Sequence, residues 1–169
     1  MRVPFTEMPP DARLWIFAAE RPLSDTEQES LLAVVDEFLE HWAAHGAPLA
    51  AARDLRYERF LFVAVDESNA GASGCSIDDM TRVLAALEGQ IGVELVNHGP
   101  VLYRAGDQIV RLDRAAFAER ARRGEVAPET IVFNNTLSRV AELEGGQWEV
   151  PARDSWHARA FFAGVAAPQ

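Results

Sequence analysis

Lysine is missing altogether: every one of the 16 basic residues is arginine. That excludes Schiff-base catalysis and any phosphate-binding loop built on Gly-Lys-Ser/Thr. Cysteine is nearly missing. Cys75 stands alone, so an internal disulfide and a multi-cysteine metal cage are both excluded. Positive charge is scarce relative to negative, and the net charge is −10. Such a surface lacks the cationic footprint that nucleic acid demands, and it does not suit an anionic membrane surface. No run approaches the roughly 20 apolar residues of a membrane span. The opening MRVPFTEMPPDAR has no apolar core of the signal-peptide kind. These absences set the expectation of a cytoplasmic protein without nucleic acid, membrane, metal or cofactor.

What is present is an ordinary globular composition, 49% hydrophobic and 25% charged over 169 residues. That length suits one domain, or one domain with a smaller appended module. Along the chain, residues 1–11 form a Pro-rich lead-in. Arg13 to Ala19 reads as a strand, with Leu14 and Ile16 on one face and Trp15 and Phe17 on the other. Both faces are apolar, as in a central strand covered on both sides. Ser24 with Glu27 three residues later is a capping box. The helix that follows carries Leu31, Val34, Val35, Phe38, Leu39 and Trp42 at helical spacing. Gly46 is expected to stop it in a left-handed conformation, which puts His41 and His45 in its last turn.

Leu49 to Arg56 reads as an edge strand turning back at Arg56 to Glu58. Phe60 to Val65 is a second strand apolar on both faces. A Gly/Ser/Ala-rich loop follows, then a helix from Ile77 to Glu88 with Met80, Val83, Leu84 and Leu87 as its buried stripe and Gly89 closing it. Val93 to Val96 reads as a short strand. The order strand, helix, strand, strand, helix, strand predicts an α+β fold with a ferredoxin-like βαββαβ core over residues 1–99. Helices cover only one face of such a sheet. The other face needs the rest of the chain or a second copy, hence an expected homodimer.

Residues 100–169 read as an appended C-terminal α/β module. It has a hairpin at Val101 to Tyr103 and Ile109 to Leu112, a helix from Arg114 to Arg123 capped by Asp113, and a strand at Thr130 to Phe133. A further strand is expected within Leu137 to Leu143. Trp148, Trp156, Phe161 and Phe162 crowd the end of the sequence, as in a tail that packs on something.

The ferredoxin-like order predicts where chemistry would gather. The end of the first helix, the glycine loop and the end of the fourth strand should meet at one edge of the sheet. That would bring His45 and His98 to Cys75. Ser76 is the expected N-cap, and the helix dipole with the free amides behind it would lower a thiol pKa. A thiolate–imidazole pair oriented by Glu67 or Asp66 would suit a hydrolase or transferase. The same loop, through Gly71, Ser73, Gly74 and Ser76, would instead hold a small anionic ligand. Against both stands the ordinary role of a lone cysteine as a small buried hydrophobe. Asp78 and Asp79 also oppose an anion there.

Five strings are familiar together: WAAHG at Trp42 to Gly46, VDES at Val65 to Ser68, ASGCSIDD at Ala72 to Asp79, TIVFNN at Thr130 to Asn135 and DSWHARAFF at Asp154 to Phe162. They resemble a small uncharacterised bacterial family whose members are often labelled "ABC transporter ATPase". The label implies ATP hydrolysis. A chain without lysine cannot build the phosphate loop that this activity uses. The resemblance therefore implies kinship and transfers no catalytic residues. Together these readings lead to a non-ATPase binding or regulatory module with a possible protein partner, and to a thiol enzyme as its alternative.

Overall fold

The computed structural model describes residues 1–69 and 74–164, with the side chains of 74–76 outside that description. The chain is α+β and divides into two compact units. The first comprises Met1–His98 and Asn135–Glu144; the second comprises Gly99–Asn134 and Gly145–Gln169. A ten-residue piece of the expected C-terminal module, Asn135–Glu144, thus belongs to the first unit.

In the first unit, β1 (Arg13–Ala18), β5 (Phe60–Asp66) and β4 (Ala50–Arg56) form an antiparallel sheet in the order β1-β5-β4. Trp15 pairs with Val63, and Arg53 pairs with the same Val63 from the other side. Period-two alternation sorts β5 into two faces. Leu61, Val63 and Val65 pack with Phe17 and with the apolar stripes of two helices. Those helices are α1 (Asp25–His41), burying Leu31, Val35 and Leu39, and α2 (Gly74–Ile91), burying Met80, Leu84 and Leu87. Each such side chain contributes about 1.5–3 kcal/mol relative to exposure. On the opposite face Phe60, Phe62 and Ala64 are equally buried.

Helix α1 starts as its capping box dictates. The Glu27 N–H donates to Ser24 Oγ at 3.2 Å, and the Ser24 N–H donates to Glu27 Oε1 at 2.9 Å. It ends differently from expectation. The last helical residue is His41, and Trp42 is already extended. His45 (φ 52°) and Gly46 (φ 80°) are instead the tip of a small hairpin between β2 (Ala43–Ala44) and β3 (Ala47–Pro48). Two positive φ values in a row are what a two-residue hairpin turn requires, and glycine meets that demand at the second position.

Helix α2 begins at Gly74, so Ser76 lies in its first turn and is not the N-cap. Gly89 lies inside the helix, and Gly92 (φ 69°) follows its end.

The fourth strand of a ferredoxin-like sheet does not form. Val93 to Val96 is irregular, because its backbone donors are taken by carboxylates rather than by a strand. Glu88 Oε1 accepts the N–H groups of Leu95 and Val96 at 2.6 and 2.7 Å, and Glu20 Oε1 accepts that of Glu94 at 2.9 Å. The β1 edge that this strand would occupy is met by residues 138–140. The Leu14 N–H donates to the Ser138 carbonyl at 2.9 Å, and the Val140 N–H donates to that of Ala12 at 3.1 Å. Within the expected strand Leu137 to Leu143, residues Val140–Glu144 form a short helix, α4.

The second unit is a four-stranded antiparallel sheet. It combines β6 (Val101–Ala105), β7 (Gln108–Leu112), β8 (Ile131–Phe133) and β9 (Glu149–Pro151) in the order β7-β6-β8-β9. Its core centres on Phe117 of α3 (Arg114–Arg122). Phe161 of α5 (His157–Phe161) meets that ring at 4.8 Å, edge to face, and Phe162 does so at 6.3 Å. The aromatic end of the chain therefore packs within its own unit.

Candidate functional site

A groove of about 460 Å³ lies between the C-terminal half of α1 and the N-terminal half of α2. Its position follows from the helical period. Val34, Glu37, Phe38 and His41 recur at three- and four-residue spacing on one face of α1, and Asp79 and Val83 do the same on α2. Val34, Phe38, Trp42 and Val83 supply apolar surface; Glu37, Asp79 and His41 supply the polar groups.

The aromatic part is ordered by ring packing. Phe38 and Trp42 lie 5.2 Å apart, tilted by 57°. Trp42 also meets Trp15 at 6.0 Å, and the Arg13 guanidinium stands 4.7 Å over Trp15. Trp42 is 4% exposed, and its indole N–H has no hydrogen-bond partner. The polar part is mostly acidic. His41 donates its Nδ1–H to the Glu37 carbonyl at 3.0 Å, and Asp79 pairs with Arg82 at 2.7 Å. The Glu37 carboxylate has no ion pair among the described residues.

Of the residues expected to gather around Cys75, Glu67 is beside the end of β5, paired with Arg13 at 3.1 Å. Gly71 and Ser73 lie outside the described residues. Gly74, Cys75 and Ser76 open α2, and their side chains also lie outside the description. His45 is exposed at the tip of its hairpin. His98 is at the opposite end of the sheet. Its ring rests on Phe17, which pairs with Leu61 near the start of β5, while Glu67 follows the end of that strand. Helix α2, 18 residues and therefore about 27 Å long, separates its opening from the segment that carries His98. His98 thus stands away from Glu67 and from the opening of α2, because the strand that would carry it back along β1 does not form; residues 70–73 of the loop lie outside the described residues. Desolvation of the His98 ring lowers its pKa.

Two further arrangements have a suggestive appearance. Ser155 Oγ lies 2.8 Å from His157 Nδ1, as in a hydroxyl–imidazole pair. The imidazole is 1% exposed and stacked on Trp156 at 3.9 Å. Burial, helped by the Arg114 charge, holds its pKa down to about 4. A base that weak takes no proton from serine near neutrality, so this pair is structural. A second cleft, of about 290 Å³, is lined by Arg2, Val3, Pro4, Phe5 and Arg53. Both guanidinium groups are bound to the one Asp36 carboxylate, Arg53 through two bonds of 2.8 and 2.9 Å, so half of their positive charge is already offset. Among the described residues no three His, Cys, Asp or Glu side chains come together as a metal site.

The sequence reading placed Val34, Phe38, Trp42 and Val83 in buried stripes and left Glu37, His41 and Asp79 outside them, and therefore did not join them into a site. The available signal was Phe38 and Trp42, two aromatics one turn apart at the end of a helix, with Glu37 just before the first and His41 just before the second. No protein-family model, curated protein or solved structure matches the chain.

Proposed function

We propose that the chain is a non-catalytic binding module and that the groove between α1 and α2 is its site. The observation that carries this reading is the combination of volume and lining: about 460 Å³ of apolar, partly aromatic surface with a few polar groups beside it. That is the usual make-up of a ligand site. The resemblance to the small bacterial family attaches to the same place, since WAAHG begins with Trp42. An ATPase role is not part of the proposal, because the chain offers no phosphate-loop lysine. The thiol-enzyme alternative is weakened by the location of His98 at the far end of the sheet.

The test is a residue-resolved NMR titration of the full chain with short peptides and arylalkyl compounds. Amide shifts should concentrate on residues 34–43 and 79–83. Shifts concentrated around Ser155 to His157, or around Arg2 and Arg53, reject the groove.

A further inference from the structure

We infer that the α1–α2 groove receives a basic amphipathic segment of a partner protein. An apolar side chain of that segment enters between Phe38, Trp42 and Val83, and an arginine or lysine stands at Glu37 and Asp79. The inference rests on the reading that this groove is the binding site.

Charge selects the class. Helix α1 contains no arginine or lysine, and Asp36, Glu37 and Glu40 lie in its C-terminal half. Helix α2 carries Asp78 and Asp79 in its second turn and has Arg82 as its one basic residue. Arg82 is held by Asp79. His41 is the other group that can be positive here, and its Nδ1–H is engaged by the Glu37 carbonyl. An acidic partner would bring like charges together beside apolar surface, which costs several kcal/mol. A basic partner completes the Glu37 carboxylate and lies beside the half-buried ring of Phe38, since aromatic rings favour cations.

Shape selects the source. The lining residues of α1 run from Val34 to His41, about 10 Å along the helix axis. An elongated trough of this volume takes a few side chains from a chain laid across it, as in groove recognition of amphipathic segments.

The experiment measures fluorescence anisotropy of labelled peptides with the full chain. The probes are a short amphipathic leucine–arginine peptide and its leucine–glutamate and leucine–glutamine counterparts, with phenethylammonium as a small cation. Two variants accompany the parent. One reverses the rim charge (Glu37→Lys with Asp79→Lys). The other fills the trough (Val34→Phe with Val83→Phe) and keeps the charge. Unchanged thermal melting shows that each variant is folded.

The leucine–arginine peptide should bind and the leucine–glutamate peptide should not. Charge reversal should weaken binding about tenfold or more, and filling the trough should abolish it. If the leucine–glutamine peptide binds as tightly, ignores charge reversal and is lost on filling, the basic class is overturned while the groove stands. If the filled variant binds the leucine–arginine peptide unchanged, the groove reading itself falls. Binding of phenethylammonium without any peptide, or of no probe at all, overturns the partner-protein inference.

Discussion

His98 lies against Phe17 with ring centroids 5.6 Å apart, at the end of β1 opposite the Arg13–Glu67 ion pair. This imidazole stands at the far end of α2 from residues 74–76, which open that helix. The reactivity of Cys75 should therefore be independent of it. In His98→Gln, the iodoacetamide labelling rate of Cys75 between roughly pH 6 and 9 should match the parent within about twofold. A tenfold drop near neutrality would put the two groups together and contradict this placement.

His157 makes the second unit sensitive to mild acid. Its folded pKa is held down to about 4, first by burial and then by Arg114, against about 6.5 in an unfolded chain. The folded state prefers the neutral ring. The associated stability is complete above about pH 6.5 and is lost as pH falls from there toward 4. With some solvent access allowed for, the loss amounts to roughly 2 kcal/mol. Denaturant unfolding of the full chain at pH 7 and pH 5, followed through tryptophan fluorescence, should show a decline that His157→Gln removes. Parallel declines in both proteins would assign the effect to other groups.

Arg59 is 5% exposed and donates through Nε to the Ala19 carbonyl at 3.0 Å and through Nη2 to that of Glu20 at 2.6 Å. These bonds hold the chain as it leaves β1. Arg59→Met keeps the aliphatic stem and strands two carbonyls. It should cost about 2–3 kcal/mol, read as a lower urea midpoint with an unchanged slope. A loss below about 0.5 kcal/mol would show that water replaces the guanidinium without penalty.

Phe60, Phe62 and Ala64 are fully buried in the single chain. Burial of this face of the β1-β5-β4 sheet removes the reason given by the sequence for a second copy. Size-exclusion with light scattering at micromolar concentration should return the monomer mass of about 18.6 kDa. A concentration-independent dimer would require an interface elsewhere on the molecule.

Much of the fold was legible in local signals. The capping box at Ser24 and Glu27, the two-faced apolar run of Phe60 to Val65, the turn after Arg56 and the Asp113 cap are short-range features. Each is decided by bonds within a few residues. The Ala116 N–H donates to Asp113 Oδ1 at 2.7 Å, and Tyr57 and Glu58 supply the positive φ values of the turn. The candidate site was hardly legible. Val34, Glu37, Phe38 and His41 share a helix face in any reading, but whether that face is buried or half-open depends on how near α2 packs.

The sequence alone determined which functions are closed to this chain and where α1, α3 and most of its strands begin. Residue chemistry excludes without needing geometry: a chain with no lysine has no lysine-dependent site in any fold. Only the tertiary structure decided that Val93 to Val96 stays out of the sheet and that residues 138–140 take the edge of β1. The physical reason is competition for backbone donors. Glu88, seven residues before Leu95, and Glu20, 74 residues before Glu94, bind the amides that a fourth strand would have offered. That outcome leaves His98 at the far end of α2 from its opening residues and makes the groove beside Trp42 the better candidate.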